Sequence, residues 1–112
     1  MKTVQLKDFN QAKCDHAILD IKDKVPEDRR LTQLAEECAE GAQAALKLFR
    51  AYTGNEPQLN DGTLRLKLLE EIADIFVCVD VFWNDLDRAV CMEYYEAKLK
   101  RWEDRLNGRT KS

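Results

Sequence analysis

The chain has few residues that turn a backbone: four Gly and two Pro among 112 residues. A β architecture rich in tight turns needs both, so their scarcity, together with 35% charged and 45% apolar residues, favours long helices. His16 is the only histidine, which excludes a His-based triad, a zinc cluster and the paired Glu-x-x-His sites of ferritin-like di-iron bundles. No apolar run approaches the roughly 20 residues needed to span a bilayer. The N-terminal MKTVQLKDFNQAK lacks the apolar core of a signal peptide, so a cytoplasmic protein with no membrane partner is expected. No basic run occurs and the net charge is −3, so the surface that neutralises polynucleotide phosphates is missing. Cys14, Cys38, Cys78 and Cys91 show no CxxC spacing. Cys38 and Cys78 fall on apolar helix faces, and the set reads as reduced core thiols.

What is present is helical periodicity, and it predicts one all-α domain over 1–112. Val4, Leu6, Phe9, Ala12, Ala17, Ile18 and Ile21 give a first helix over 3–22, which VPEDRR breaks at Pro26. Leu31, Ala35, Cys38, Ala42, Ala45, Phe49 and Tyr52 recur at steps of four and three, predicting a second helix over 31–53 with that stripe buried. TGNEPQLNDG, 53–62, collects turn residues and reads as a loop. A third helix, from about Thr63 to Asn84, buries Leu64, Leu68, Ile72, Ile75, Val79 and Phe82. IFVCVDVFW alone resembles a strand, yet LRLKLLEEIAD runs into it with one helical period. Asp85 or Asp87 caps a fourth helix carrying Cys91, Tyr95, Leu99, Trp102 and Leu106, which stops at Asn107 and Gly108. Ile75 to Trp83 is apolar nearly all round, and in so short a chain that implies self-association that completes a four-helix bundle, as a homodimer or homotetramer.

Within this frame stand two acidic pairs, Glu37 and Glu40 in AEECAEG and Glu71 and Asp74 in LEEIADI. Residues at i and i+3 are neighbours on a helix. Glu37 and Glu40 flank the apolar stripe of their helix while Glu36 points to solvent; Glu71 falls inside the buried sector of its helix, Asp74 at the sector's edge and Glu70 off it. Four carboxylates converging from two packed helices repel one another unless a cation lies between them. A hard divalent ion, most naturally Mg²⁺, with Mn²⁺ as a substitute, suits such oxygen donors. Glu93 and Glu96 repeat the spacing but sit in the early turns of their helix, where the macrodipole favours acids.

The ECAE of 37–40 followed by the EIAD of 71–74 resembles the ExxE and ExxD halves of the signature of the all-α nucleoside triphosphate pyrophosphohydrolases of the MazG type, related to the dimeric dUTPases and dCTPases. The similarity extends over roughly residues 30–106; the gap between the halves is longer than usual, and Trp102 stands where many members have Asn. It implies a nucleoside triphosphate substrate cleaved between its α and β phosphates to monophosphate and pyrophosphate, a Mg²⁺ cofactor held by Glu37, Glu40, Glu71 and Asp74, and a role in cleansing the nucleotide pool. Glu37 or Glu40 would orient or deprotonate the attacking water. Lys98, Arg101 and Arg105 form a basic stripe that either holds phosphate or is a solvated helix end. Lys47 is a further phosphate candidate, and Lys67 either serves likewise or pairs with Glu71. Phe9, His16, Tyr52 and Trp102 are the groups available to a base. The alternative is a non-catalytic helical interaction protein, or an inactive relative, whose acids merely decorate its faces.

Overall fold

The computed structural model describes residues 9–54 and 61–109. Among them are four helices and no strand: α1 Gln11–Lys24, α2 Glu27–Tyr52, α3 Asp61–Phe82 and α4 Asp85–Leu106. The chain is all-α, and no helix is long and apolar enough to cross a membrane. Local chemistry sets the boundaries. Asn10 is extended and its side chain accepts from Lys13 N at 3.0 Å, so α1 begins after the Phe9 that the periodicity had placed inside it; the part of that prediction over 3–8 lies outside the described residues. The break after α1 is only Val25–Pro26. Val25 is extended, as a residue before proline must be, and Pro26 serves as N-cap with Glu27 and Asp28 in the first turn of α2. EDRR is therefore helix rather than linker.

The loop of 53–62 is shorter at its far end than predicted, since Asp61 and Gly62 already belong to α3; the prediction for 55–60 lies outside the described residues. IFVCVDVF is helical through Phe82. The cap of α4 is Asn84 rather than either aspartate: its side chain accepts from Asp87 N at 2.8 Å, while Asp87 Oδ2 accepts from Asn84 N at 3.2 Å, a reciprocal capping box.

The chain divides into two compact units, one ending at Phe82 and one beginning at Trp83. In the first, α2 and α3 pack antiparallel: Arg30 near the start of α2 meets Val81 near the end of α3, and Gly41 further along meets Ile75. A Cβ on Gly41 would stand 2.8 Å from Ile75 Cδ1, so the missing side chain is what admits α3 this closely. The buried stripe of α2 is Gly41, Ala44 and Leu48, with Leu34 and Glu37 half-buried in line with it. This corrects the predicted stripe: Leu31, Ala35, Cys38, Ala42, Ala45, Phe49 and Tyr52 lie about 100° away around the helix, and all seven are exposed. On α3, Glu71, Cys78 and Val81 are buried; Leu64, Leu68, Ile72, Ile75, Val79 and Phe82 are half-buried. α1 packs against α3 and half-buries Cys14, Ile18, Ile21 and Val25. Of the four free cysteines only Cys78 is buried; Cys38 and Cys91 are exposed.

Arg30 holds one end of this unit together. Its Nη1 donates to Val81 O at 2.6 Å and its Nε to Val25 O at 3.0 Å. Val81 O is among the last carbonyls of α3, which have no partner within the helix, so one guanidinium closes that helix end and ties it to the α1–α2 corner. In the second unit, α4 ends in a Schellman arrangement, with Arg109 N donating to Asp104 O at 2.7 Å and Gly108 N to Arg105 O at 3.3 Å, at a Gly108 φ of 67°. Replacing Arg30 by Ala is expected to destabilise the protein by about 1–3 kcal/mol, the cost of hydrogen bonds from a charged donor. Arg30→Lys should not restore this, lacking the two-pronged donor geometry. Urea titration followed by circular dichroism measures both, and an unchanged midpoint for Arg30→Ala would show that the two carbonyls are satisfied without it.

Candidate metal centre

The antiparallel pairing of α2 and α3 brings the two acidic pairs to one place. Glu37, Glu71 and Asp74 each offer a carboxylate oxygen, and these lie within 4.8 Å of one another. Their environments are graded: Glu71 is buried at 5% exposure, Glu37 is half-buried and Asp74 is exposed, so the cluster opens toward solvent on the Asp74 side. Glu36 and Glu70, read as bystanders, are exposed.

Half of the oxygens on the two inner acids are accounted for. Glu71 Oε1 receives Lys67 Nζ at 2.9 Å, and Glu37 Oε1 receives Gln33 Nε2 at 2.8 Å. Glu71 Oε2 and Glu37 Oε2 are shielded from water and meet no permanent hydrogen-bond donor among the described residues. An ionised carboxylate only accepts, and a buried acceptor left unmatched costs about 1–3 kcal/mol, more when charged. Two such oxygens in one three-carboxylate cluster are the chemical complement of a cation, and Mg²⁺ or Mn²⁺ fits a donor set of a few carboxylates with the remaining positions open to water or ligand oxygens.

Glu40 stands apart from the three. It is exposed and not one of the groups whose oxygens converge, yet it feels them: the negative charge of Glu37 first, then that of Glu71, then partial burial, and then hydrogen bonds from its carboxyl to both, hold its pKa above the ordinary value of 4.5. Such a hydrogen bond exists only when Glu40 keeps its proton. A protonated Glu40 thus relieves the cluster as a cation would, and the two would compete. Lys67 has its pKa raised, by its hydrogen bond to Glu71 first and then by the charge of Glu70. Burial, then the charges of Glu37 and Asp74, push the Cys78 thiol up, which keeps it protonated beside the acids.

The remaining predicted groups are spread more widely. Lys47 is exposed, about 10 Å along α2 from Glu40 at 1.5 Å per residue. Lys98, Arg101 and Arg105 are exposed on α4, in the second unit. Of the aromatic candidates, Phe9, His16, Tyr52 and Trp102 are all exposed. A groove of about 330 Å³ went unforeseen in the sequence. It lies in the first unit, floored by Ile21, Val25, Val77 and Val81 and rimmed by Lys24, Arg29 and Arg30. Gln33 and Cys78 also line it, and through them it reaches the cluster: Gln33 donates to Glu37, and Cys78 lies one turn beyond Asp74. The signal was in EDRR, whose reading as a helix break hid that Arg29 and Arg30 stand at the start of α2.

No protein-family model, curated protein or solved structure matches this chain.

The raised pKa of Glu40 fixes a sign. The native state holds that proton more tightly than the unfolded chain, so without metal, stability falls as pH rises from 4.5 through the native value. A divalent cation held by the deprotonated cluster would offset the loss. Thermal melts at constant ionic strength should therefore show a Mg²⁺-dependent rise in Tm that grows from pH 4.5 to neutral pH and is absent in Glu71→Gln, whose helicity is retained. An equal rise at both pH values would place the ion elsewhere.

Proposed function

We propose that the chain is a Mg²⁺-dependent nucleoside triphosphate pyrophosphohydrolase, releasing nucleoside monophosphate and pyrophosphate. The observation that carries this reading is that Glu37 and Glu71 converge across the α2–α3 seam with Asp74 beside them, and that each holds a water-shielded oxygen with no hydrogen-bond partner among the described residues. A protein whose acids merely decorated its surface would leave them hydrated. The resemblance of the 37–40 and 71–74 motifs to the MazG-type enzymes supports the same reaction, including its place in clearing unwanted nucleotides from the pool.

Glu37, Glu71 and Asp74 would hold the ion. When bound, Mg²⁺ supplies charge neutralisation for the triphosphate and for the pyrophosphate as it departs. Gln33 fixes the rotamer of Glu37, and Lys67 fixes that of Glu71, so the donor set is pre-positioned on helices rather than loops. Glu40 is suited to receive the proton of the attacking water: it is exposed, adjacent to the ligands and more basic than an ordinary carboxylate. The water oxygen bonds to the α-phosphorus, its proton passes to Glu40, and the bond to the bridging oxygen breaks with pyrophosphate taking the electron pair. The groove beside Gln33 and Cys78 is the space for the nucleoside, with aliphatic walls for the faces of a base.

Self-association as a homodimer or homotetramer belongs to the same proposal. Phe49 and Tyr52 on α2 and Phe76 and Val77 on α3 are each more than half exposed, as are Tyr94, Tyr95, Leu99 and Trp102 on α4. Apolar surface on this scale marks an interface. Sedimentation equilibrium is expected to give a multiple of the monomer mass, and a concentration-independent monomer would refute it.

Incubation with Mg²⁺ and a panel of natural and damaged (d)NTPs should release pyrophosphate. Glu71→Gln is expected to abolish turnover, and Glu40→Gln to lower kcat by about 10²–10⁴-fold, the range of general-base contributions, while leaving Mg²⁺ binding measurable by calorimetry. In the wild type kcat should rise with pH through the elevated Glu40 pKa. Absence of pyrophosphate from every nucleotide, with the assembly intact, would overturn the reading.

A further inference from the structure

The groove has a cation at its far end whose side chain pairs with none of the described residues. Lys24 is paired with Asp20 at 2.8 Å, and Arg30 donates to the carbonyls of Val25 and Val81. Arg29 is exposed on the rim, and among the described residues its hydrogen bonds run through its backbone. Arg29, Gln33 and Glu37 stand at i, i+4 and i+8, one ridge of α2, so Arg29 lies about 12 Å along the helix axis from the carboxylate cluster. Between them is the aliphatic floor. A ligand held by its phosphates at the acids and laid along this floor therefore presents the edge of its base to a guanidinium.

We propose that Arg29 sets base specificity, selecting nucleotides whose base carries two adjacent hydrogen-bond acceptors on its edge. This rests on the reading of the cluster and groove as a nucleoside triphosphate site. The guanidinium is a planar fork of donors with no acceptor. It matches O6 and N7 of guanine or hypoxanthine, and equally N3 and O2 of cytosine. Adenine sets an amino donor beside N7, and uracil and thymine set an N–H between their carbonyls, so each leaves one prong of the fork opposite a donor or without a partner. Lysine would not reproduce the choice, because a single ammonium reads charge but not a paired edge. The aliphatic floor adds affinity for any base and discriminates little, so the choice falls to the rim.

The test compares kcat/KM for GTP, ITP, dCTP, ATP and dUTP in wild type, Arg29→Ala and Arg29→Lys, with helicity checked by circular dichroism. Wild type is expected to prefer GTP and ITP, or dCTP, over ATP and dUTP, and the two arms tell a 6-oxopurine site from a cytosine site. Arg29→Ala should erase that preference by about five- to a hundred-fold, chiefly through KM, because the contact is made before and during the chemical step alike. Arg29→Lys should not restore it. ATP turnover should change little in either variant. Turnover of several nucleotides with a preference that Arg29→Ala leaves intact would overturn the role of Arg29 while the enzyme reading stands. Release of pyrophosphate from no nucleotide would remove both.

Discussion

The first unit is organised around a repulsion. Glu71 is buried where α2 and α3 meet, Glu37 faces it from the other helix, and each has one water-shielded carboxylate oxygen that no permanent donor among the described residues meets. Burying a carboxylate is tolerated only where something balances it, and the fold supplies a partial balance through Lys67 and Gln33 on the other oxygens. The remaining deficit lies between the helices and is open on the Asp74 side. That local imbalance makes the same three carboxylates, Glu37, Glu71 and Asp74, poor packing and suited to a cation.

The closeness of the helices is part of the same design. Gly41 follows Glu40 in sequence and meets Ile75, the residue after Asp74. The glycine contact is therefore immediately beside the acids, and Ala44 and Leu48 continue the buried seam away from them. Arg30 clamps the other direction, joining the last turn of α3 to the α1–α2 corner. The carboxylates sit between a glycine contact and an arginine clamp, and their spacing is set by rigid elements.

The acids were legible in the sequence because helix geometry sorts them: Glu71 on the inner sector, Asp74 at its edge, Glu36 and Glu70 outward all follow from 100° per residue, and the structure places them so. The buried stripe of α2 was not legible. Reading hydrophobicity favours the larger side chains, Phe49, Tyr52 and Leu31, whereas the seam was decided by small ones, Gly41 and Ala44, that let α3 approach. Both stripes exist on the helix, and apolar content alone does not rank them. The start of α2 was hidden because proline ends one helix and begins another with equal ease. The cap of α4 was hidden by competition among Asn84, Asp85 and Asp87, all good N-caps, which only the backbone at Asn84 resolves. Glu40 was grouped with the ligands by spacing; its raised pKa comes first from Glu37, one turn away on the same helix, and then from Glu71 across the seam, and only the second of these is hidden from a single helix.

The terminal chemistry of α4 has a consequence of its own. A helix of this length in water usually frays from both ends and depends on neighbours to hold it. Here Asn84 and Asp87 lock the first turn reciprocally and Gly108 folds the last carbonyls back on themselves. The segment can thus be rigid before anything covers its aromatic side chains. A preformed rod surrenders less disorder on meeting a surface than a coil does, so whatever covers α4 gains a binding element whose shape was settled in advance by its own two ends.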